Sequence, residues 1–133
     1  EPIQELAQLI KSYNPNTFVL VDGAHTMGQI PSLDLQQLGP IDAYLSNGHK
    51  WLYSPKGSAF LWLNQSLTTD LFPEPTVISS ANPLGTPTPL RFEYVSTRDY
   101  TATLSMSKAL AFRDSLGGDH AIYNYVNGLA IQA

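Results

Sequence analysis

Two short stretches of the sequence hold the side chains best suited to chemistry. Asp22-Gly23-Ala24-His25 places a carboxylate and an imidazole directly after the apolar run Phe18-Val19-Leu20-Val21. Ser46-Asn47-Gly48-His49-Lys50-Trp51 gathers a hydroxyl, an amide, a glycine, an imidazole and an amine, a set suited to holding an anion beside a reactive lysine. Lysine is the residue that forms Schiff bases, and its amine must be unprotonated to do so. Each stretch also has a plainer reading. Asp22 can cap the following turn through its own backbone, and Lys50 can be a surface lysine beside an aromatic ring. Against the second stands the segment Trp51-Leu52-Tyr53-Ser54-Pro55-Lys56-Gly57, too apolar to sit idle in solvent, which puts the lysine at the floor of a pocket. A carboxylate leaving a buried strand is costly without a partner, so a positive group is expected to face Asp22. Trp51 and Tyr53 themselves read as packing.

Both stretches follow strands, and ligands in open α/β sheets gather at the carboxyl ends of strands. Ile3, Leu6, Leu9 and Ile10 keep helical spacing, and Asn14-Pro15-Asn16 breaks the helix. Thr17 to Val21 is an uninterrupted apolar, β-branched run of the kind buried on both faces of a parallel sheet. Leu33, Leu35 and Leu38 predict a short helix closed by Gly39-Pro40, and Ile41 to Leu45 predicts a second strand. The third strand, Gly57 to Leu63, follows after a loop too short for a helical crossover and is expected to run antiparallel or join irregularly. Alternation of helix and strand makes the fold class α/β. The prolines between Pro73 and Pro89 predict a long surface excursion with one strand, Thr76 to Ser79. Helical character returns from Ser105 to Leu116, with Gly117-Gly118 as its stop and Asp119 as the cap of the next helix.

The composition narrows the function. Of 133 residues, 43% are hydrophobic and 14% charged, which fits one globular unit rather than a disordered tail. Seven Lys and Arg against eleven Asp and Glu, with no basic run, argue against nucleic acid as a partner. There is no cysteine, so disulfides and thiolate metal sites are excluded. The apolar runs are too short to span a bilayer, so no membrane partner is expected. The sequence leaves the location open, with the cytoplasm as the default expectation. Because the chain opens on Glu1 already within helical spacing, it reads as a fragment of something longer.

Val21-Asp22-Gly23-Ala24-His25, followed by Ser46-Asn47-Gly48-His49-Lys50-Trp51-Leu52-Tyr53-Ser54-Pro55-Lys56-Gly57, resembles the class V aminotransferases, pyridoxal-phosphate enzymes of fold type I. Within that class the sequence is most similar to the isopenicillin N epimerase-like branch, with its cysteine desulfurase-like and carbon–sulfur lyase members, and Ser96-Thr97-Arg98-Asp99 resembles that branch too. The resemblance implies the central part of a large pyridoxal-phosphate-binding domain, a mostly parallel sheet flanked by helices, over residues 1–100. Residues 101–133 would then be linking helices that lead into the start of the small C-terminal domain.

The resemblance also implies roles. Lys50 becomes the catalytic residue, binding pyridoxal 5'-phosphate as a Schiff base and moving the proton at the substrate α-carbon. Asp22 pairs with the pyridine nitrogen, and His25 hydrogen-bonds the ring oxygen. Asn47 and His49 donate to the phosphate, with Ser46 as their neighbour. Thr97 reaches the phosphate of a partner subunit, which implies a homodimer with shared active sites; Arg98 holds that loop, faces the site, or pairs with Asp99 in a turn. The substrate is an amino acid, processed by a transaminase, epimerase, desulfurase or C–S lyase type of reaction, and the fragment alone is expected to be inactive. Two other readings stand beside this one. The chain could be a non-catalytic dimerisation module that keeps the fold, or a metal hydrolase using Asp22, His25 and His49.

Overall fold

The computed structural model describes residues 2–64 and 97–133. The chain divides into two compact units, one made of Glu1–Asn64 with Thr101–Ala133 and the other of Gln65–Tyr100. In the first unit the opening helix, α1, spans Ile3–Tyr13, as the spacing of its apolar residues predicts. It buries less of that face than the pattern suggests: Ala7 is buried and Ile3 packs on the core, while Leu6, Leu9 and Ile10 stay exposed. Lys11 in its last turn reaches Asp42 at 2.7 Å, tying the helix end to the segment that enters the second strand.

Among the described residues three strands form one sheet in the order β1 (Leu20–Asp22), β2 (Ala43–Asn47), β3 (Ala59–Leu63). β1 and β2 are parallel, with Leu20 opposite Ala43 and Asp22 opposite Leu45. β2 and β3 are antiparallel, with Ala43 opposite Leu63 and Asn47 opposite Ala59. The central strand carries the most buried side chains, Ala43, Tyr44 and Ser46. Val19, Ile41 and Tyr44 form the core with Ala7, and Val21, Met27, Leu33, Leu35, Leu38, Phe60 and Trp62 pack around them.

The strands begin later than their apolar runs. The expected first strand, Thr17 to Val21, is three residues, Leu20–Asp22, and it is not buried on both faces: Leu20 is 51% exposed. Asp42 is the reason for the late start. Its carboxylate accepts from the Val19 backbone N–H at 2.7 Å, and its own N–H donates to the Val19 carbonyl at 2.9 Å, so the parallel ladder opens only at Leu20. For the same reason the second strand runs Ala43–Asn47 rather than Ile41 to Leu45, which places Ser46 and Asn47 within it. The third strand is antiparallel, as expected, and starts at Ala59 because Gly57 adopts φ +93° and the Ser58 N–H turns back to Pro55. The predicted short helix after Leu33 is a 3-10 turn, Leu35–Gln37, whose first turn is capped by Asp34 and which is followed by Gly39 at φ +90°.

The C-terminal part of this unit is helical. A single turn, α2 (Thr101–Leu104), leads into α3 (Met106–Ser115) and then α4 (Gly118–Gln132). The left-handed Gly117, at φ +97°, is the residue that precedes α4, so Asp119 is not its cap. Asp119 lies in the first turn of α4 and faces Arg113 instead. The proline-rich excursion and its strand, Thr76 to Ser79, lie outside the described residues. Among the described residues no helix is long and apolar enough to cross a membrane.

Tyr44 shows how closely the sheet and the turn after β1 fit. Its ring fills the place of the side chain that Gly23 lacks: a Cβ there would lie 2.0 Å from the ring. The Gly23 carbonyl accepts from Ser46 Oγ at 3.0 Å, and the Thr26 and Tyr44 hydroxyls, 3.1 and 3.3 Å from it, also bond each other, so their two protons are shared between that bond and the carbonyl. Gly23→Ala is therefore expected to cost about 1–3 kcal/mol through overpacking, read as a lower urea midpoint with an unchanged slope.

Burial pushes the Tyr44 phenol above its ordinary value of 10.0. Hydrogen bonds with Thr26 and the Met27 backbone oppose the shift, and the Asp22 charge adds to it. The folded state thus holds this proton more tightly than the unfolded chain. Stability from this source is intact below the unfolded value of about 10 and is lost as pH rises from there through the folded value. Alkaline melts are expected to show that decline, and Tyr44→Phe to remove its share of it.

Candidate active site

The parallel register of β1 and β2 sets Asp22 opposite Leu45, so the turn after β1 and the loop after β2 leave the same edge of the sheet. Asp22 is exposed, and its Oδ1 accepts from the Ala24 N–H at 3.1 Å, the turn-capping role that a short carboxylate readily takes. The expected burial and the expected facing cation are both absent: among the described residues no salt bridge reaches it. It ends β1, a strand with a single neighbour among the described residues, which leaves the carboxylate open on one side there. Oδ2 is left to accept a further donor.

His25 sits in the turn that follows. Its Nε2 lies 3.3 Å from Lys50 Nζ and its Nδ1 lies 3.3 Å from Trp51 Nε1, with the two rings edge-on at 69° and 6.4 Å between centroids. Lys50 is half-buried, and among the described residues no carboxylate is paired with it. Asn47, at the end of β2, and His49 are half-buried as well. Ser46 is buried, and its hydroxyl is committed to the Gly23 carbonyl.

Next to Lys50, the Nδ1 of His49 is buried with no hydrogen-bond partner. A buried imidazole nitrogen without a partner is costly unless a ligand meets it. With the Asn47 amide two residues before it in the chain, it supplies donor types suited to an anion, and the Lys50 amine that follows has no paired carboxylate among the described residues. The residues present therefore fit the phosphate and the aldehyde of pyridoxal 5'-phosphate. Among the described residues no group of three or more His, Asp or Glu is placed to hold a metal.

Thr97 and Arg98 fall in the second unit, where both are exposed and the Arg98 guanidinium lies 4.7 Å over the Tyr100 ring.

Two residues that the sequence left aside hold the site together. Trp51 donates to His25, as described. Arg113, from α3, is 2% exposed, and its guanidinium bonds the Trp51 carbonyl, the Gly28 carbonyl at 3.0 Å and Asp119 at 2.5 Å, with the Tyr53 ring 5.0 Å away. It thereby joins the loop that carries Lys50 to the turn that carries His25. The two segments pass so closely that a Cβ on Gly28, itself at φ +80°, would meet the Trp51 carbonyl at 3.0 Å. No local pattern singled out Arg113: the apolar residues Phe112, in the same helix, and Leu116, just past its end, are exposed, and the burial of the stripe from Ala109 to Arg113 emerges only in the folded chain.

No family model matches the chain. It is similar to the L-cysteine desulfhydrase-like proteins lolT2 and lolT1 of Epichloe uncinata, at 35% and 32% identity over 84% and 97% of the chain. It is also 28% identical, over 98% of the chain, to hercynylcysteine sulfoxide lyase of Schizosaccharomyces pombe. The chain spans 28%, 32% and 34% of the length of these relatives, respectively, so about a third of each is matched.

Proposed function

We propose that the chain is the central part of a pyridoxal-phosphate-dependent enzyme of the class V aminotransferase-like group, fold type I, that acts on a sulfur-bearing amino acid by carbon–sulfur cleavage. The observation that carries this reading is the approach of Lys50 Nζ to His25 Nε2, at the sheet edge where Asp22 ends β1. The names of the relatives, desulfhydrase-like proteins and a sulfoxide lyase, support the substrate class. In this reading residues 1–100 belong to the cofactor-binding domain and 101–133 lead toward a smaller one. The protein pairs as a homodimer in which Thr97 reaches the partner's phosphate.

When bound, pyridoxal 5'-phosphate supplies an aldehyde for a lysine amine and a ring that takes up the electrons of a bond broken next to the substrate's amino group. The chain's own residues do the rest. Lys50 Nζ is the nucleophile, and afterwards it takes and returns the proton at the substrate α-carbon. Asp22, held in place through Oδ1, presents Oδ2 to keep a proton on the ring nitrogen. His25 Nε2–H donates to the free amine and would turn to the ring oxygen once the cofactor is bound. Asn47 and His49 Nδ1 hold the phosphate, which satisfies the imidazole nitrogen that is otherwise without a partner.

The chain alone is expected to be inactive, so the test is to incubate the whole enzyme that contains it with pyridoxal 5'-phosphate and a panel of amino acids. Sulfide and a keto acid released from cysteine or a cysteine derivative are expected. Amino transfer or racemisation without sulfur release would refute the assigned reaction, and no turnover of any amino acid would refute the enzyme reading.

A further inference from the structure

We infer that Trp51 is a positioning residue that fixes the tautomer of His25, so that the imidazole presents Nε2–H, and not a bare nitrogen, to Lys50 Nζ. The argument is a count of protons along three side chains. An indole nitrogen only donates, so the 3.3 Å approach of Trp51 Nε1 to His25 Nδ1 is a hydrogen bond only if Nδ1 is bare. A neutral imidazole carries one proton, which must then sit on Nε2. Nε2 is the nitrogen that faces Lys50 Nζ at 3.3 Å. An Nε2–H can donate only to an amine that offers its lone pair, whereas an ammonium there would set donor against donor. The row Trp51, His25, Lys50 is thus fully hydrogen-bonded when the lysine is in its nucleophilic form.

The backbone makes this arrangement stiff. Trp51 directly follows Lys50, and its carbonyl is held by the buried Arg113, which also holds Gly28 three residues after His25. The backbone from which the indole projects is thereby held beside the turn that carries His25. The edge-on ring geometry, 69° between planes, fits an indole N–H aimed at the rim of the imidazole. His25 is exposed, so without this donor, water would be free to bond either nitrogen.

The consequence for reactivity rests on the proposed role of Lys50, but the tautomer itself can be tested without any cofactor. Nitrogen-15 spectra of the protein with labelled histidine are the direct measurement. His25 Nδ1 is expected to resonate as a bare ring nitrogen, with a coupling across the hydrogen bond from the Trp51 indole. In Trp51→Phe that coupling disappears and the two His25 nitrogens move toward averaged shifts. A protonated Nδ1 in the parent protein, or unchanged His25 shifts in Trp51→Phe, would overturn the inference. Should Trp51→Phe fold poorly, His25→Gln reads the same bond from the other side: the Trp51 indole proton is expected to shift while that of Trp62 stays in place, and an unmoved Trp51 signal counts against the bond. With the tautomer established, Trp51→Phe is expected to slow the capture of pyridoxal 5'-phosphate by Lys50 about fivefold, the worth of one ordinary hydrogen bond. An unchanged capture rate alongside the expected spectra would tell against the role of Lys50 and leave the tautomer standing.

Discussion

Lys50→Ala in the whole enzyme is expected to lower turnover by about ten-thousandfold, because it removes both the nucleophile and the group that moves the α-proton. The fold is expected to be untouched. Lys50 is half-buried and its hydrogen bond is to His25, an exposed side chain, so truncation changes stability by no more than about 0.5 kcal/mol. Activity and urea melts measured on the same preparation separate the two effects. Lys50→Arg sharpens the comparison: it keeps a charge at the site but presents a guanidinium that does not serve as the nucleophile, and it is expected to be as inactive as the alanine variant.

Arg113→Met is expected to have the opposite signature, with a loss of stability of about 3 kcal/mol. Methionine keeps much of the buried stem, but the carbonyls of Gly28 and Trp51 lose their charged donor, and each unsatisfied carbonyl costs about 1–3 kcal/mol. Asp119 adds little, because its side chain is 44% exposed and water can replace the guanidinium. Arg113→Lys is expected to recover part of the loss, since one ammonium cannot span acceptors that the forked guanidinium reaches together. Denaturant midpoints of the three proteins check the order parent, Arg113→Lys, Arg113→Met. Where the folded fraction is kept high, loosening of the two site segments is expected to lower turnover as well, as displacement of His25 from Lys50 requires.

The pattern of the chain made some of this readable and hid the rest. The opening helix followed from Ile3, Leu6, Leu9 and Ile10, and the antiparallel third strand from the shortness of the loop before it. The displaced strand starts were not readable, because they depend on the carboxylate of Asp42 bonding Val19 across 23 positions, and no local pattern reports such a bond. Lys50 and His25 could each be singled out by type, but their meeting depends on the register of two parallel strands. Asp22 was expected to be buried against a cation. Among the described residues it ends a strand with one neighbour and is exposed, with the adjacent backbone as its partner. Trp51 was set aside as packing because most large residues after a loop are just that. Its donor role emerges only once the His25 ring is in place. Arg113 was not readable either, because the nearby apolar residues Phe112 and Leu116 are exposed and the buried face of its helix is set by the turn and loop it packs against.

The most direct measurement is reduction of the protein with borohydride in the presence of pyridoxal 5'-phosphate, followed by digestion and mass spectrometry of the peptides. The chain holds four lysines, Lys11, Lys50, Lys56 and Lys108, so the readout is unambiguous. The added pyridoxyl mass is expected on the peptide that carries Lys50, with the other three unlabelled. Label spread over Lys56 and Lys108 with Lys50 unmodified would contradict the assignment of Lys50 as the reactive amine.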